Sequence, residues 1–144
     1  MIKQKTNETA TGKAQKVARN FLGLLLITTG ISHLTWARVE FRAQVPGWVP
    51  VSKDLTVVLS GIAELTLGGS LVFLPRQKIV VGCLVATFFV LIFPGNIAQF
   101  MDERDAFGLN TDLARGIRLF FQPVLVIWAL WSTGAWLIRK HNKP

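Results

Sequence analysis

Residues 55–74 read LTVVLSGIAELTLGGSLVFL, and Glu64 is the single charge among them. At ~1.5 Å per residue these twenty positions make a helix of about 30 Å, the thickness of bilayer hydrocarbon. Glu64 then lies ~15 Å from either end, where an ionised side chain costs roughly 2.5 kcal/mol or more. A carboxylate persists at that depth where it has partners or a task.

Three further runs, 17–36, 79–101 and 113–138, are also long and apolar enough to span a bilayer. The stretch IVVGCLVATFFVLIF at 79–93 offers only Thr87 as a polar residue, whereas a soluble bundle carries polar side chains along its outer faces. The chain of 144 residues is 51% hydrophobic with a mean hydropathy of +0.42. The expected fold is all-α, an integral membrane four-helix bundle spanning residues 13–144, preceded by a disordered tail over residues 1–12.

The net charge of +8 would suit nucleic acid, but its placement argues against that partner. Ten basic residues (Lys3, Lys5, Lys13, Lys16, Arg19, Arg76, Lys78, Arg139, Lys140 and Lys143) fall on one side of the four spans against one acid, Glu8. On the opposite side Arg38, Arg42, Lys53, Arg104, Arg115 and Arg118 are balanced by six acids. The positive-inside rule therefore puts both termini in the cytoplasm, with attraction to anionic lipid as a secondary effect. Cys83 is the only cysteine, which excludes an internal disulfide, a Cys-x-x-Cys pair and a cysteine-based metal site.

The connector 37–52 is amphipathic, and the reading has it lie at the interface or dip back over the helix ends, with Trp36 and Trp48 as anchors. Pro94-Gly95 is expected to break or kink the third span. Trp128, Trp131 and Trp136 read as belt and packing residues of the fourth.

Polar residues gather in the outer half of the bundle. Ser60, Glu64 and Gly68 fall at i, i+4 and i+8, with Gly61 and Gly68 seven apart, a narrow stripe of small and polar residues that lets a neighbouring helix approach closely. Arg115, Arg118 and Gln122 share one face of the fourth span, and a guanidinium there is a natural fork for a carboxylate. His33, with Thr29 behind it, closes the first span, and Asn96 sits at a similar height on the third. Two readings stand. In one, Glu64 and Arg118 are a buried pair that fixes helix register, with His33, Asn96 and Gln122 satisfying leftover hydrogen bonds. In the other, His33, Glu64, Asn96, Arg118 and Gln122 line a pocket open to the outer leaflet. One His and one Glu from different helices fall short of a metal site, so none is expected.

Gly30-Ile31-Ser32-His33, the Val45-Pro46 and Val49-Pro50 pairs, Gly61-Ile62-Ala63-Glu64, Pro94-Gly95-Asn96 and Arg118-x-x-x-Gln122-Pro123-x-Leu125-x-x-Trp128 together resemble the DoxX-like integral membrane proteins, from about residue 16 to 138. The resemblance implies a compact four-helix bundle in a bacterial inner membrane, similar to a small membrane subunit of thiosulfate:quinone oxidoreductase. No cofactor is evident in the residues themselves. With neither a cysteine pair nor a bis-histidine pattern for haem, an electron carrier would be a bound quinone or belong to an oxidoreductase partner. The leading expectation is thus a non-catalytic accessory subunit binding quinone, lipid or another small molecule. The alternatives are a transporter or export factor, for which four spans would require a homodimer, and a purely structural membrane protein.

Overall fold

The computed structural model describes residues 11–42, 45–102 and 111–137. Five α-helices follow one another: α1 (Lys13–Leu34), α2 (Arg38–Arg42), α3 (Lys53–Phe73), α4 (Lys78–Met101) and α5 (Asp112–Thr133). All but α2 are long and apolar enough to cross a membrane. The expected tail over 1–12 falls outside the described residues as far as residue 10, as does most of the acidic loop after α4.

The helix starts follow local chemistry. The Ser52 and Thr111 hydroxyls accept from the backbone N–H groups of Leu55 and Ala114, each closing an open first turn. At the far end α5 stops at Thr133, five residues before the end of the span read from hydropathy. Gly134 takes a left-handed conformation, φ 75°, and its N–H bonds to the Trp131 carbonyl. Hydropathy continues through Trp136 and Ile138, but backbone conformation ends the helix. Pro94-Gly95 does not break α4, which runs through both to Met101.

α1 and α3 form one tightly packed antiparallel hairpin, and α4 and α5 form the other. Glycine makes the first possible. A Cβ placed on Gly68 would come within 2.7 Å of the Gly23 carbonyl oxygen, and one on Gly30 within 2.9 Å of the Gly61 carbonyl oxygen. The two glycines on each helix are seven apart, so both contacts lie on one seam where backbones touch. In the second hairpin Gly82 receives Thr133, whose hydroxyl bonds back to the Ala129 carbonyl. The hairpins join where Gln15 Nε2 donates to the Trp131 carbonyl and Trp128 Nε1 to that of Ala18. Trp128 thus packs between helices and also stacks on Phe21, while Trp131 and Trp136 stay exposed.

Leu22, Leu26, Leu71, Val81, Val85, Phe89, Leu125 and Ala129 fill the centre, toward the end that carries the termini. Outward faces are apolar too: Phe120 is 80% and Leu91 71% exposed. The outward hydroxyls of Thr28, Thr66 and Thr87 each donate to the carbonyl four residues back, so none needs water. That is the surface expected of a bundle solvated by lipid.

The seam makes a paired prediction. Gly68→Ala pushes a methyl into backbone and should lower stability by about 1–3 kcal/mol, whereas Gly69→Ala, with nothing within 4 Å of its Cβ, should leave it unchanged or slightly raised. Unfolding of the detergent-solubilised protein by mixed denaturing micelles measures both.

Candidate functional site: a polar cavity between the hairpins

At the end of the bundle opposite the termini the hairpins part around a cavity of ≈ 940 Å³. All four long helices and the connector line it, including His33, Glu64, Asn96, Arg118 and Gln122. All five residues expected from the sequence therefore face one space. Leu26, Phe89 and Leu125 belong both to its wall and to the packed centre, so the core closes its floor. Leu59, Leu91 and Ile117 belong both to its wall and to the exposed outer surface, so it is open sideways between helices.

The α1–α3 seam builds the first half of the site. A Cβ on Gly61 would come within 2.8 Å of the His33 Cβ, so His33 rests directly on that glycine. From there His33 Nδ1 lies 2.8 Å from the Thr29 carbonyl oxygen and 2.8 Å from Glu64 Oε2. One ring nitrogen facing two acceptor oxygens must carry the proton. That single hydrogen is in line with the Thr29 carbonyl, and Glu64 Oε2 flanks the ring without an aligned bond. His33 and Glu64 are 8% and 5% exposed. The result is a buried carboxylate oxygen beside a fixed imidazole, with room for one more donor from the cavity.

The second half is neutral. Asn96 Nδ2 donates to Gln122 Oε1 at 3.0 Å, and Gln122 Nε2 donates to the Phe89 carbonyl at 2.7 Å. Gln122 of α5 therefore bridges two points on α4 that flank Pro94, the residue that lacks an N–H for the helix ladder. Both amides are buried and hydrogen-bonded, which orients them rigidly. Arg118 is partly buried in the same wall. Among the described residues the ion-pair contact of Glu64 is with His33 and not with Arg118. Reach along a long side chain made Arg118 the natural expectation, but the glycine seam brings His33 closer.

Further residues complete the site, and of these the stacking of Phe41 on His33 was not legible in the sequence. Phe41 of α2 stacks on His33 with ring centroids 3.4 Å apart and planes 13° apart. Val45, Pro46, Trp48, Val49 and Val51 continue the connector over the cavity, so it does dip back across the helix ends. Two guanidiniums fasten it: Arg38 and Arg42 both hydrogen-bond Asp54 in the first turn of α3, Arg38 Nε at 2.8 Å. The Arg38 hydrogen bond, with that of Arg42, holds the Asp54 carboxyl below its ordinary pKa, so the latch keeps its anion at physiological pH. Gln99 and Arg115 are also buried, at 1% and 6%. Among the described residues no group of three or more His, Cys, Asp or Glu gathers to hold a metal.

Fold and site together define a bundle of four helices long and apolar enough to cross a membrane, with a side-opening, largely apolar cavity that carries a polar cluster at one end. A family model described as a domain of unknown function, DUF8561, matches residues 22–133, and the chain belongs to that family. The match covers the glycine seam and every residue of the polar cluster. No curated protein and no solved structure matches the chain.

The amide bridge can be tested directly. Gln122→Leu strands the Asn96 amide and the Phe89 carbonyl and should destabilise the fold by about 1–3 kcal/mol. Adding Asn96→Leu should recover part of that loss, because both partners of one bond are then apolar. A double-mutant cycle on denaturation midpoints reads the coupling.

Proposed function

We propose that this protein is a multi-pass membrane protein whose cavity holds the polar head of a small amphipathic molecule, quinone-like or lipid-like, for a partner enzyme. The observation that carries the reading is the side-opening cavity itself, with a buried carboxylate–imidazole pair facing an oriented amide pair across largely apolar walls. Its ≈ 940 Å³ matches the size of small-molecule sites, which run from about 300 to 1,000 Å³. A lateral opening suits a ligand whose tail stays among lipid chains.

Each group has a role in this reading. Glu64 accepts from a hydroxyl of the ligand head and exchanges a proton with it, and His33, held by Thr29, keeps the carboxylate in place. Arg118 is the donor for a ligand carbonyl or other electron-rich oxygen. Asn96 and Gln122 shape the opposite wall. With one cysteine and no bis-histidine pattern in the sequence, this reading assigns electron transfer to a partner and treats this subunit as an accessory one. The charge distribution orients the cavity toward the outer leaflet with both termini in the cytoplasm, and the DoxX-like resemblance points to a bacterial inner membrane and an oxidoreductase partner. Transport is the weaker reading, because the packed centre fills the route beneath the cavity.

Trp48 lines the cavity and serves as the reporter. A short-chain ubiquinone analogue added to the purified full-length protein should quench tryptophan fluorescence saturably. Glu64→Gln should weaken that binding about tenfold, the loss of one good hydrogen bond to the ligand head, and His33→Phe should weaken it by less, through the position of the carboxylate alone. Equal quenching of wild type and both variants, or quenching that never saturates, refutes the assignment.

A further inference from the structure

Arg19 sits at the end of the molecule away from the cavity, on the second turn of α1. It is 6% exposed, and its Nε has no hydrogen-bond partner. Among the described residues it makes no ion pair. Ser132, 0% exposed on the last turn of α5, also lacks a partner for its Oγ. The bonds from Gln15 to the Trp131 carbonyl and from Trp128 to the Ala18 carbonyl put both residues at the same end of one helix pair. The sequence placed Arg19 among the charges that orient the chain; burial sets it apart from them.

Its surroundings are cationic. Lys13 and Lys16 are exposed on α1, Arg76 is exposed in the turn before α4, and Lys78 Nζ donates to Thr11 Oγ1 at 3.3 Å. In the sequence, Glu8 is the only acid in the segments of this end, and it lies outside the described residues. A guanidinium taken from water with its Nε donor unmet calls for an anion, and its planar fork matches phosphate oxygens. Arg19 lies ~9 Å along the helix from Lys13, about the level at which lipid phosphates meet hydrocarbon.

We propose that Arg19 forms a phosphate-ester site at the terminal end of the bundle, with Lys16, one turn before it on α1, and Lys78 as its cationic neighbours. The site is separate from the cavity and independent of what the cavity binds. With the termini in the cytoplasm, it faces the leaflet rich in anionic phospholipid, whose surface potential adds attraction at each of these lysines.

The test uses full-length protein purified in detergent. Native mass spectrometry follows phosphatidylglycerol retained through delipidation, and melting is compared with added phosphatidylglycerol, phosphatidylcholine or inorganic phosphate at matched ionic strength. Wild type should retain phosphatidylglycerol and melt higher with it than with phosphatidylcholine. Arg19→Gln should reduce retention about tenfold, and Arg19→Lys should restore part of it. Stabilisation by inorganic phosphate equal to that by phosphatidylglycerol supports the site and assigns its ligand to solution. Two results overturn the proposal: melting of wild type indifferent to all three additions, or undiminished retention by Arg19→Gln. If Arg19→Gln does not fold, the three additions to wild type alone still decide for or against the site.

Discussion

Backbone contact between α1 and α3 is the constraint on which the remaining structure rests. Helices in lipid gain little from burying apolar side chains against each other, so close packing of small residues has to hold them together. Gly23 with Gly68 and Gly30 with Gly61 supply that contact and leave no freedom to slide by a turn. Because His33 rests on Gly61, the same contact fixes the imidazole and delivers it to the Glu64 carboxylate. Helix register and site geometry are one quantity here.

The α4–α5 hairpin uses different means for the same end. Thr133 fills the notch at Gly82 near the termini, and Gln122 ties α5 to α4 beside the proline turn near the cavity. Two hairpins, each internally rigid, meet tightly around the central leucines and valines and separate above them. The cavity is the space that remains when two stiff pairs touch at only one end.

Much of this was legible in the sequence, for physical reasons that differ by feature. The four long helices follow from uninterrupted hydropathy, and the cluster of polar residues follows from counting depth along each span. Gly61 and Gly68 were visible as a small-residue stripe, but their partners Gly23 and Gly30 were not, because a seam needs two helices and the sequence does not pair them. The choice of His33 over Arg118 as the nearest neighbour of Glu64 turns on how closely two backbones approach, which no spacing rule encodes. Phe41 was hidden because its place depends on where the Arg38–Asp54 latch folds the connector. The early end of α5 had a signal, the lone Gly134, masked by apolar residues that continue past it.

Arg19 and His33 lie on the same unbroken helix, fourteen residues or about 21 Å apart. α1 is thus a stiff rod, long and apolar enough to cross a membrane, with Arg19 toward one end and His33 toward the other. If it pivots about its central glycines, the two groups move in opposite senses. Whatever grips one end then changes the fit at the other, and by the symmetry of linked equilibria the influence runs both ways with equal strength. A molecule this small can couple its two ends without any segment having to change its fold.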